Sequence, residues 1–265
     1  MTSTSKSLSS CLIAVFLASC GGGGGGSSGG ATPIRNASPG GFWTFVDPIT
    51  RAPSYALIAE DGRFQVYRDD GSDTQYWGAV STIGSSISGS NIQVASGSTY
   101  FGSATLTNGT ISERQSWTAT FNFTPAAGCP ASVCGVASSQ VGTLNFSSVY
   151  NQGGALTRIA GNWRDTFTGT IYNVNSSGVF FTQDPVTRCV TNGQISTINT
   201  SYNAYAAQYT FSMCSARYAY QNGTTATGLA FVDTGVTPNR AYFAGQYRSS
   251  SGATYYTTWG VGIKQ

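Results

Sequence analysis

Histidine is absent from all 265 residues. The commonest general base and metal ligand are therefore missing, and no Ser-His-Asp triad can form within the chain. Charge is scarce as well: 9% of residues are Asp, Glu, Lys or Arg, against about 25% in ordinary soluble domains. Thirteen Lys and Arg against ten Asp and Glu leave a formal charge of +3, with no basic patch to hold nucleic acid. No apolar run approaches the length of a membrane-crossing helix. No segment shows a convincing 3.6-residue period. No Gly-x-Ser-x-Gly stands at a strand-to-helix elbow, and Gly21–Gly26 lacks the Lys-Ser/Thr of a phosphate loop.

What remains is Gly, Ser, Thr, Asn and aromatic residues in alternation. Tyr205, Ala207, Tyr209, Phe211 and Met213 share one face, with Ala206, Gln208, Thr210, Ser212 and Cys214 on the other. Trp117, Ala119, Phe121 and Phe123 alternate with Thr118, Thr120 and Asn122. Tyr255, Thr257, Trp259, Val261 and Ile263 alternate with Tyr256, Thr258, Gly260, Gly262 and Lys264. A period of two puts one face of a strand in a core and the other in water. Asp61-Gly62, Asp70-Gly71, Asn108-Gly109, Ser177-Gly178, Asn192-Gly193 and Asn222-Gly223 are read as the turns between strands. The expected fold is all-β: small antiparallel barrels or barrel-like sandwiches, two in tandem. Gly41-Phe-Trp43 and Gly161-Asn-Trp163 lie 120 residues apart, and each precedes a strand, a turn and a second strand. The expected halves are residues 41–150 and 151–265, each of ordinary domain size.

The first 40 residues differ in kind. Lys6 precedes a short apolar run, Cys11 to Ala18, followed by Leu17-Ala18-Ser19-Cys20 and then Gly21–Gly26. The run has the length of a signal-peptide core and is too short to span a bilayer. This segment resembles a bacterial lipoprotein signal, whose lipobox is Leu, two small residues and Cys. The resemblance implies removal of residues 1–19 and acylation of Cys20, with palmitate-type chains holding the protein to a membrane. Loss of Lys6 lowers the formal charge to +2. Gly21 after the Cys, by the same resemblance, implies sorting to the cell outer membrane, on either its surface or its periplasmic face. Residues 20–40 are read as the acylated Cys and a flexible tether, with a typical reach of roughly 25 Å.

Four cysteines remain after Cys11 and Cys20: Cys129, Cys134, Cys189 and Cys214. In an oxidising compartment an even number implies disulfides. Of three possible pairings, Cys129–Cys134 and Cys189–Cys214 are preferred, the first closing a small loop and the second joining two strands. Without His or Cys-x-x-Cys no metal site is expected, and no cofactor.

Gly-x-Trp on a first strand resembles lipocalin-type barrels, in which the Trp plugs the closed end. The Gly run behind an acylated Cys, leading into β-barrel-like sequence, resembles surface lipoproteins such as transferrin-binding protein B and factor H-binding protein. The departure is the low charge content. These resemblances imply a non-catalytic binding module for a protein, glycan or small apolar ligand. The alternatives are an assembly accessory of the envelope and a carboxylate-based hydrolase. For the last, Asp47, Glu60, Asp61, Asp69, Asp70, Asp73, Glu113, Asp165, Asp184 and Asp233 are the candidates, read as solvated turn residues. Asp69–Asp73 is read as a hairpin loop, not an EF-hand. Trp77, Trp117, Trp259, Tyr100, Tyr209 and Tyr247 are the aromatic candidates for lining a cavity or stacking on sugars.

Overall fold

Alternating sequences of this length bury one face most economically by closing on themselves, and the chain does so twice. The computed structural model describes residues 35–46, 53–68, 74–248 and 255–265. The signal, Cys20 and most of the tether lie outside the described residues, as do Asp47, Asp69, Asp70, Gly71 and Asp73.

The first barrel consists of β1 (Gly41–Val46), β2 (Pro53–Ile58), β3 (Arg63–Arg68), β4 (Thr74–Ile83), β5 (Ser86–Ser96), β6 (Thr99–Ser112), β7 (Ser116–Pro125) and β8 (Ser138–Ser147). The second consists of β9 (Gly161–Asp165), β10 (Ile171–Val174), β11 (Val179–Gln183), β12 (Val190–Thr197), β13 (Tyr205–Ser212), β14 (Thr225–Asp233), β15 (Arg240–Arg248) and β16 (Tyr255–Lys264). Each is an antiparallel up-and-down barrel, closed by β1 pairing with β8 and β9 with β16. Closure leaves no unpaired strand edge. A link with two short helical turns, Ser148–Gln152 and Leu156–Ile159, joins them.

Both barrels are plugged at one end in the same way. The Trp43 indole N–H donates to the Pro39 carbonyl at 3.2 Å, and that of Trp163 to the Ile159 carbonyl at 2.7 Å. In each case the acceptor lies four residues back, so the chain entering the first strand folds under its own tryptophan. The two Gly-x-Trp motifs thus occupy equivalent places. Residues 36–38, assigned to the tether by composition, are tied to this end. Asn36 accepts from the Gly84 N–H, Ala37 donates to the Gly84 carbonyl, and Ser38 donates to Glu60.

The barrels lie side by side within one compact unit. The outer faces of β1–β3 pack on those of β14 and β15 through Phe42, Leu57, Tyr67, Leu229, Phe231 and Ala244. The Phe42 and Phe231 rings lie 4.0 Å apart. Burying a Phe or Leu of this kind contributes about 1.5–3 kcal/mol. Buried amides add direction: Gln65 accepts from the Leu229 N–H at 3.2 Å and donates to Gln75 and Gln246. Tyr67 donates to the Leu229 carbonyl at 3.1 Å. Like ends adjoin. Gln152 and Asn203 join the plugged ends, through Thr234 and the Val149 carbonyl respectively, and the Thr257 N–H meets the Gly97 carbonyl at the other end. Both mouths therefore open on one side, opposite the end where residues 36–38 are tied.

Two expected turns are strand instead. Asn108-Gly109 lies within β6, where the register with β7 shifts between Thr107 and Thr110. Asn108 takes φ 51° there, so the positive-φ dipeptide makes a bulge and the strand continues. Asn192-Gly193 lies within β12, paired on both sides. A Cβ on Gly193 would sit 2.4 Å from the Phe180 ring; the glycine makes room for a side chain. Met213 leaves the alternation of β13 with φ 55° and is 76% exposed.

Candidate functional site

The interior of a small barrel is filled by its inward side chains unless enough of them are short. In the second barrel every glycine facing a ring is used. Phe180 lies over Gly193, Tyr209 over Gly245, Phe243 over Gly260 and Trp163 over Gly262. Only about 120 Å³ remains open among them. Tyr209 and Thr258 hydroxyls meet inside, and burial pushes the Tyr209 phenol up to about 12.

The first barrel has longer strands, up to the 14 residues of β6, and short inward side chains that no ring covers. Ala119 on β7 faces Gly142 on β8 across the ladder. Both point inward, and a Cβ on Gly142 would meet nothing closer than a Leu144 methyl at 3.9 Å. These two short side chains border a cavity of about 500 Å³, within the range of small-molecule sites. Its floor is Trp117, edge-on to Trp43 at 6.4 Å between ring centres. Its walls include Phe64, Val66, Tyr76, Val94, Leu106 and Phe121. Toward the mouth stand Phe45, Phe101 and Phe123, with Thr74, Ser138 and Gln140. No charged side chain is among the described residues that line it.

The mouth is edged by the connection between β7 and β8. Cys129 and Cys134 are bonded across the helical turn Ala131–Cys134, and Cys134, Gly135 and Val136 line the cavity. The Ala126 N–H holds the loop to the Phe101 carbonyl. Cys189 and Cys214 are bonded at the mouth end of the second barrel, joining the ends of neighbouring strands β12 and β13. Both disulfides follow the preferred pairing.

The aromatic candidates are dispersed. Of the five whose side chains are described, Trp117 alone lines the large cavity. Trp77 and Tyr100 lie on the outer parity of β4 and β6, where Tyr100 donates to Gln93. Tyr209 and Tyr247 are core of the second barrel. The Trp259 side chain lies outside the described residues, as do those of Tyr255 and Tyr256. Phe121 and Phe123 could be read from their alternation with Trp117. Phe45 and Phe101 carried no such signal, and neither did the Ala119–Gly142 pair, because small residues in a strand look unremarkable until their partners across the ladder are known.

No protein-family description, curated protein or solved structure matches this chain.

The described carboxylates are occupied. Glu60 takes Ser38, Tyr150 and Arg114, and Glu113 takes Arg35. Asp184 accepts from the Val186 and Thr187 N–H groups, as a loop cap. Asp165 corrects the solvated-turn reading: it is 4% exposed and accepts from the N–H groups of Phe167 and Thr168 and from the Thr168 hydroxyl. No group of three potential metal ligands exists among the described residues.

Proposed function

We propose that this protein is a non-catalytic binding module of the cell envelope, held to the outer membrane by acyl chains on Cys20, with a small apolar ligand inside its first barrel. The observation that carries the reading is the 500 Å³ cavity beside a second barrel of the same topology that is packed almost solid. An empty apolar space of that size forfeits packing that a ligand would restore; losses run to about 24 cal/mol per Å³ in cavity-forming core substitutions. The engagement of Glu60, Glu113, Asp165 and Asp184 in structural bonds supports a binding role over hydrolysis.

Titration of the purified protein with N-phenyl-1-naphthylamine, a neutral apolar fluorophore, tests the site. One probe per chain is expected, with uptake abolished by Gly142→Phe in a protein that still melts cooperatively. Absence of uptake by the native chain overturns the reading. Cys20→Ser is expected to move the protein from the membrane fraction to the soluble one; unchanged membrane attachment refutes the anchor.

A further inference from the structure

We infer that the first barrel takes a single uncharged hydrocarbon chain, tail first, with a hydroxyl, amide or ester end held at the mouth by Ser138 and Gln140. This rests on the reading of the cavity as an apolar ligand site and adds the chemical class of the ligand.

Three features of the cavity carry it. The first is depth. Inward residues Trp117, Ala119, Phe121 and Phe123 descend one strand from mouth to floor, and six residues of strand cover roughly 20 Å. A site lined along that length by single aromatic and aliphatic residues is a channel, suited to a chain. The second is volume. A methylene takes up about as much room as a water in the liquid, roughly 30 Å³, so 500 Å³ holds a chain of about sixteen carbons.

The third is the placement of polar groups. Below Gln140 the described lining is hydrocarbon and aromatic apart from the Tyr76 hydroxyl, with Trp117 at the bottom. At the top, Ser138 and Gln140 begin β8 on its inward parity. Both are half-buried, and neither side chain has a hydrogen-bond partner among the described residues. One hydroxyl and one amide offer donors and acceptors together, which matches an alcohol, amide or ester. No described lining residue is cationic, so a carboxylate or phosphate seated at that depth would have no counter-charge, a costly arrangement in an apolar site.

Competition against bound N-phenyl-1-naphthylamine on the purified full chain tests this. The competitors are 1-hexadecanol, palmitate at pH 8, hexadecyltrimethylammonium and 1-octanol. Hexadecanol is expected to displace the probe at concentrations about tenfold or more below palmitate and the ammonium salt, since an unpaired buried charge costs well over 1.4 kcal/mol. Octanol is expected to be at least about a hundredfold weaker than hexadecanol, because each buried methylene adds affinity. Ser138→Ala combined with Gln140→Leu is expected to narrow the preference for the alcohol over palmitate and the ammonium salt by about tenfold or more, each competitor being scored against the variant's own affinity for the probe; an unchanged preference overturns the role given to these two side chains. Palmitate equal to or better than hexadecanol overturns the neutral head. Probe binding that no chain displaces overturns the chain. Both outcomes leave the cavity reading intact, whereas failure of the probe itself to bind removes that reading. If Gly142→Phe does not fold, Ala119→Leu, a smaller filler at the same level, is the blocking variant; binding undiminished in a folded, blocked barrel places the ligand elsewhere and overturns the inference.

Discussion

Three tryptophans show how much one hydrogen bond distinguishes residues of the same type. Trp43 and Trp163 are buried and bonded to the carbonyl four residues back. Trp117 is equally buried, and its indole N–H has no partner among the described residues. Replacing Trp43 or Trp163 by Phe strands a buried carbonyl as well as reducing contact, at about 2–4 kcal/mol. Trp117→Phe removes an unsatisfied donor along with the larger ring and is expected to cost no more than about 1 kcal/mol. Urea midpoints of the three variants check the order; equal losses would show that the carbonyl bonds contribute nothing. A second expectation at this scale concerns alkali. Burial pushes the phenols of Tyr67, Tyr172 and Tyr209 above their ordinary value of 10, Tyr209 to about 12, with Asp165 adding to the effect at Tyr172. The folded state therefore holds these protons where the unfolded state releases them. Their stabilisation is complete below pH 10 and declines as pH rises from 10 toward 12, each phenol contributing about 1.4 kcal/mol per pH unit. With no histidine in the chain, stability is expected to stay level between pH 6 and 9. Denaturant melts across that range and at pH 11 test both parts.

At the scale of strands, glycine carries two opposite meanings. Gly193 leaves space that Phe180 fills, and its Cβ would also fall 2.6 Å from the Gln208 carbonyl. Gly142 borders open cavity. Gly193→Ala is expected to destabilise by about 1–3 kcal/mol through overpacking, and Gly142→Ala to be neutral or to stabilise by up to about 1 kcal/mol, since alanine narrows the unfolded ensemble. Melting of the two variants side by side decides it: comparable losses would mean that the cavity is closed in solution. The turn signals carry a related lesson. Ser177-Gly178 makes the turn between β10 and β11, whereas Asn108-Gly109 and Asn192-Gly193 sit inside strands. Positive φ and absence of a side chain are local properties, but hairpin, bulge and packing niche all use them. Which use applies depends on what the neighbouring strand presents.

Across the whole molecule, two barrels share an apolar interface and a set of buried amides. The outer parity of β14 places Leu229 and Phe231 against the first barrel rather than in its own interior. The native protein is therefore expected to unfold in one calorimetric transition. Phe231→Asp, which buries an unpaired charge at the interface without touching either interior, is expected to split it into two. Two transitions in the native protein would show that the barrels fold independently despite the contact.

Much of this was legible in the chain itself. Alternation identified strands such as Trp117–Phe123 and Tyr205–Phe211, the Gly-x-Trp motifs marked the start of each barrel, and four cysteines in spaced pairs gave the disulfides. These are properties of residues near one another along the backbone, where periodicity and spacing act directly. Tertiary structure alone decided which face of β16 points inward: small Thr258, Gly260 and Gly262 do, to admit Tyr209, Phe243 and Trp163. It alone decided that one barrel is filled and the other hollow. The volume inside a barrel is set by side chains from eight strands together; pairing of β7 with β8 brings Ala119 and Gly142 level, and only closure decides that no side chain from the other strands fills the space beside them.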